Sequence, residues 1–134
     1  MNFDWNRYLE LAKKLSAATE DDASLRSAVS RSYYCIFNLA MLKAKANKYT
    51  PKDDASTHDQ LWTLYARNTD KNCGRVSVIG QRMKRRRVKA DYRDYFDKLK
   101  DEVDDAITDA EECVAILSVL PKDLPQDVPR SWSF

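Results

Sequence analysis

The sequence predicts an all-α fold, an up-and-down bundle of four to five helices. Three observations carry this. Only two Gly and four Pro occur in 134 residues, and three of the Pro fall in the last fourteen, so the body lacks the punctuation that many short strands need. Apolar residues recur at three-four spacing through most of that body. One-third of the residues are charged, which suits solvated helical faces. A chain of this length forms one domain with a self-sufficient core. We divide it into a helical bundle, residues 1–120, and an extended Pro-rich C-terminal tail, residues 121–134.

Residues 3–18 put Trp5, Tyr8, Leu9, Ala12 and Leu15 on one stripe and form the first helix. The polar joint TEDDAS (19–24) offers caps and acids to the next. Residues 24–47 make the longest helix, with Leu25, Ala28, Val29, Ser32, Ile36, Leu39 and Ala40 on its seam and Tyr33, Tyr34 and Phe37 widening it. Pro51 disfavours helix at Thr50, so 47–54 is a loop. A third helix covers 56–68 with Leu61, Trp62, Leu64 and Tyr65, and 69–75 is a second loop. The fourth helix has a thin stripe, Val76, Val78, Ile79 and Met83, followed by a basic run. Residues 97–119 keep a seam of Val103, Ala106, Ile107, Ala110, Cys113, Val114 and Leu117. Pro121, Pro125 and Pro129 then hold the tail extended. Its Trp132 and Phe134 pack back on the body or dock on another chain.

Composition narrows the chemistry. Cys35, Cys73 and Cys113 are odd in number and widely spaced, with no CxxC or Cys/His cluster, so neither structural zinc nor any other metal site is expected. They read as two core thiols and one loop thiol in a reducing, cytoplasmic setting. The N-terminal MNFDWNRYLE carries acids and no apolar run, so it predicts no secretion leader. No stretch approaches ~18 apolar residues, so no membrane span is expected. There is no Gly-rich phosphate loop, HExxH or Ser/His/Asp set, and no cofactor is implied.

Charge is the most distinctive feature. The net value of +2 hides nine basic residues and one acid in 71–93, followed by nine acids and two lysines in 94–112. Arg82, Lys84, Arg85, Arg86, Arg87 and Lys89 cluster on one helix. Arg82, Arg85, Arg86 and Lys89 share one broad face, and 84, 87 and 91 another. Such a run either grips phosphates along a nucleic-acid backbone or is a solvated face compensated by the acidic stretch. Asp91 and Tyr92 follow directly. They either orient Arg87 through a helical ion pair or form a phosphate clamp with an acid/base candidate. His58, the only histidine, is either a cap or polar-face residue or a proton carrier. Arg31 lies on the Tyr34 side of the long helix and, if turned inward, needs an anionic partner.

Two strings in this set resemble a known family. LRSAVSRSYYCIFNLA (25–40), an Arg followed by a Tyr-Tyr pair in an apolar helix, and RRRVKADY (85–92), with Arg87, Ala90, Asp91 and Tyr92 as an Arg-x-x-Ala-Asp-Tyr signature, resemble small stand-alone prokaryotic HEPN-domain proteins. The likeness covers about residues 5–119. It implies a HEPN-like bundle, commonly a homodimer, and a place in a toxin–antitoxin or phage-defence system. A nucleotidyltransferase antitoxin or another defence-complex protein would then be a partner. Many such proteins are metal-independent ribonucleases whose motif is an Arg followed four to six residues later by His. If Tyr92 matches the Tyr that follows this motif in one toxin branch, the Arg is Arg85 and the His position is Ala90, which cannot move a proton.

The expected function is therefore RNA association. Arg82, Arg85, Arg86, Arg87 and Lys89 would bind phosphate, with Arg31 and Tyr34 lining the cleft. Were RNA cleaved, Arg87 would stabilise developing charge, Asp91 would shape the cleft, and Tyr92 or His58 would move the proton. The alternatives are a non-catalytic interaction or adaptor subunit and a nucleotide-sensing module.

Overall fold

The predicted stripes fold onto one another as five helices. The computed structural model describes residues 2–125. In it α1 spans Asn6–Ser16, α2 Asp22–Ala46, α3 Thr57–Arg67, α4 Lys71–Tyr92 and α5 Leu99–Val119. No strand occurs among the described residues, and α2 packs against all four other helices. It can do so because apolar groups encircle it: Leu25, Val29, Tyr33, Cys35, Ile36 and Ala40 are all buried. Among the described residues no helix is long and apolar enough to cross a membrane.

Two helix starts are set by aspartates. Asp21 caps α2 by accepting from the Ala23 amide at 3.1 Å. Asp70 caps α4 by accepting from Asn72 at 2.7 Å and Cys73 at 3.4 Å. The second cap corrects the expected 69–75 loop, because α4 begins at Lys71 and carries Cys73 into the core. All three thiols are thus buried and unpaired, not two in the core and one in a loop. Burial pushes Cys35 up to about 11 and Cys73 and Cys113 up to about 12, so none is a thiolate near neutrality.

The first residues of the tail are built into the bundle. Leu124 is buried, its amide donates to Asn47 Oδ1 at 2.9 Å, and Asn68 Nδ2 donates to the Pro125 carbonyl at 3.0 Å. Pro129, Trp132 and Phe134 lie outside the described residues.

Candidate anion-binding site

Helical geometry splits the basic run three ways. Arg82 and Arg86 turn toward α5. Arg82 grips Asp109 bidentately at 2.8 and 2.9 Å, and Arg86 reaches Asp109 at 2.6 Å and Glu102 at 2.9 Å. Burial alone would raise the Asp109 carboxyl, but hydrogen bonds and charge from the two arginines hold it below the usual range. This corrects the expectation for Arg82 and Arg86: both are committed to carboxylates inside the protein, because the acidic stretch that follows folds back against them. Arg85 and Lys89 point outward and have no ion-pair partner among the described residues. Lys84 and Arg87 face the α2–α3 side, where Lys84 pairs with Asp59 at 2.6 Å.

Arg87 is the unusual member. It is only 9% exposed, and its Nε is buried with no hydrogen-bond partner. Its ion pair, Nη1 to Asp91 Oδ2, measures 3.5 Å, the outer edge of a hydrogen bond. The same Asp91 oxygen accepts from Ser30 Oγ at 3.4 Å, also long. What surrounds the guanidinium is aromatic: its carbon lies 5.7 Å from the Tyr33 ring, 5.6 Å from Tyr34 and 5.7 Å from Tyr92. Cation–π attraction offsets part of the desolvation cost. A buried cation with one loose ion pair nevertheless retains strong attraction for an anion with several acceptor oxygens.

His58 adjoins this aromatic cluster through Tyr33. The His58 ring stacks on Phe37 at 4.1 Å and on Tyr33 at 5.6 Å. Its Nδ1 lies 2.6 Å from the Tyr33 hydroxyl, which accepts from Trp62 Nε1 at 3.1 Å. Burial raises the Tyr33 phenol far above its ordinary value, so it keeps its proton and donates it to Nδ1. Nδ1 is therefore the acceptor, and the neutral ring carries its proton on Nε2. Burial first, then the charges of Arg87 and Lys84, hold His58 below 6.5.

A pH dependence follows. The unfolded chain takes up a proton at His58 before the folded chain does, so stability is full above about pH 6.5 and falls as pH drops below it. Asp109, depressed below 3.8, adds a loss in the same direction at lower pH. Melting curves should show a decline beginning between roughly pH 7 and 5, and His58→Gln should remove that upper portion while leaving the carboxylate portion. An unchanged upper portion in His58→Gln would refute the assignment.

Other positions complete the geometry. Arg26 of α2 donates to the Ala90 carbonyl at 3.0 Å, the Arg93 carbonyl at 2.6 Å and the Asp94 carbonyl at 3.0 Å. It thereby closes the end of α4 on which Asp91 and Tyr92 sit. Ala90 is buried, so its small side chain lets α4 approach. Arg31 lies apart from this cluster in its contacts: its guanidinium carbon is 4.9 Å from the Tyr8 ring of α1. Of the predicted residues, the fold gathers Arg87, Asp91, Tyr92 and Tyr34 into one cluster and brings His58 to it through Tyr33. It adds Tyr33, Ser30 and Arg26, whose roles were not evident beforehand; the Tyr33-Tyr34 pair was the one local signal. The chain matches no protein-family model, no curated protein and no solved structure.

Proposed function

We propose that the ring of aromatic side chains around Arg87 forms a hollow through which this protein binds RNA, and that it does so without cutting it, as a HEPN-like, RNA-associated component of a prokaryotic toxin–antitoxin or phage-defence system. The single observation that carries the reading is the buried, incompletely partnered guanidinium of Arg87, ringed by Tyr33, Tyr34 and Tyr92. Phosphate oxygens match its donors, and the outward Arg85 and Lys89 add positive charge to the same helix. Two features speak against cleavage. Ala90 has no proton to move, and the accepting nitrogen of His58 is already turned inward on Tyr33.

A second reading, a non-catalytic adaptor, is favoured by an apolar groove of 330 Å³ on the other side of α2, lined by Leu39, Leu42, Val114 and Leu117 among others. Purified protein incubated with total RNA in EDTA separates these readings. The expected result is intact RNA whose migration is retarded, the retardation collapsing as salt rises. Metal-independent fragments would overturn the non-cutting half of the proposal. Intact, unretarded RNA would leave the adaptor.

A further inference from the structure

Two open grooves flank the outer end of α4. The first, of 350 Å³, is lined by Arg85, Val88, Lys89 and Arg93 among others. The second, of 360 Å³, is lined by Lys89, Arg93, Tyr95, Phe96 and Lys98 among others. Lys89 and Arg93 belong to both and form the saddle between them. The acids in these grooves already have partners: Asp59 pairs with Lys84, Glu102 with Arg86, and Asp97 accepts from the Tyr95 hydroxyl. Among the described residues Arg85, Lys89 and Arg93 have no carboxylate within ion-pair distance.

Near the same end of α4 stand two rings that are largely in solvent. Tyr92 is 72% exposed and Tyr95 78%. The backbone that carries them is pinned, since Arg26 ties the carbonyls of Ala90, Arg93 and Asp94 to α2. Tyr92 also belongs to the Arg87 hollow, 5.7 Å from the guanidinium carbon. Exposed aromatic faces on a pinned turn, interleaved with unpaired cations, are the arrangement that stacks nucleobases while holding the intervening phosphates.

We infer that the end of α4 and the α4–α5 turn form a base-stacking subsite for an unpaired RNA strand. Tyr92 and Tyr95 are its platforms, and Lys89 and Arg93 contact the phosphates. The strand enters from the Arg87 hollow, so the inference rests on the reading of that hollow as an RNA-phosphate site. A duplex keeps its bases stacked on one another and cannot use the tyrosine faces.

The test uses fluorescence anisotropy with a short labelled adenosine–uridine oligomer, free and in duplex, on wild type, Tyr95→Leu and Tyr95→Phe. The single strand should bind more tightly than the duplex. Tyr95→Leu should weaken the single strand about tenfold, with duplex binding unmoved, and Tyr95→Phe should restore it. Inorganic phosphate, which has no base to stack, should raise the melting temperature of wild type and Tyr95→Leu alike, and Arg87→Met should abolish that rise. If phosphate does so but Tyr95→Leu binds the oligomer as wild type does, or the duplex binds as well as the single strand, the subsite is wrong and the hollow stands. If neither phosphate nor oligomer binds, the hollow reading fails and the subsite falls with it.

Discussion

Gly80→Val should be the most damaging single change to this fold. Gly80 lies in α4 directly against the Trp62 indole of α3, and a Cβ there would sit 2.3 to 2.6 Å from three ring atoms. The indole cannot swing aside. Trp62 is fully buried, its Nε1 donates to the Tyr33 hydroxyl, and its backbone carbonyl accepts from Ser77 Oγ at 2.7 Å. Relief must come from separating α3 from α4, which opens the core and moves His58 away from Arg87. Overpacking against a fixed ring falls at the upper end of the usual range, about 3 kcal/mol, a large share of the about 5–15 kcal/mol that holds a domain together. We expect a fall of more than about 8 °C in melting temperature by circular dichroism. Gly74→Ala is the control. A Cβ at Gly74 meets nothing within 4 Å, so that change should be neutral or mildly stabilising. Equal tolerance of both would show that the α3–α4 packing is misplaced.

The contrast between these glycines shows what local pattern could and could not reveal. Periodicity found the helices, because burial of a three-four stripe depends on neighbours in sequence. It also put 84, 87 and 91 on a different face from 82 and 86, and that division decides which cations meet α2 and α3 and which meet α5. The partners of those cations depend on how one helix slides along another. Arg82 and Arg86 were legible only as part of a basic run beside an acidic one. Their engagement with Asp109 follows from the turn that sets α4 against α5, where Lys98 adopts φ 54°. His58 and Tyr33 are 25 residues apart, and Arg26 is 64 to 68 from the carbonyls it holds. No spacing rule reaches that far. The start of α4 was lost because TDKNCGR reads as loop by composition, whereas Asp70 alone caps it.

Arg87→Met should uncouple stability from binding. In most cores, removing a well-packed side chain lowers both. Here Arg87 is 9% exposed, its Nε has no hydrogen-bond partner and its one ion pair is 3.5 Å long, so what is lost with the charge is chiefly the attraction of three rings, and the desolvation cost is removed with it. Methionine is similar in length and fits against the rings of Tyr33, Tyr34 and Tyr92. Replacing a poorly compensated buried cation by an apolar group is neutral or stabilising by about 1 kcal/mol, so the melting temperature should hold or rise. The Asp91 side chain is 30% exposed and can be rehydrated without its partner. RNA affinity should fall about a hundredfold, the loss of charge-assisted bonds to a phosphate, and the salt dependence should flatten by about one phosphate contact. Arg87→Lys is the informative companion. It keeps the charge but cannot present a planar fork, so it should recover only part of the affinity. A melting temperature that drops by several degrees in Arg87→Met while RNA binding persists would mean that Arg87 is a structural residue. The two outcomes separate because the buried Nε has no hydrogen-bond partner and the one ion pair is long, which leaves the guanidinium with donors that an anion can use and that methionine lacks.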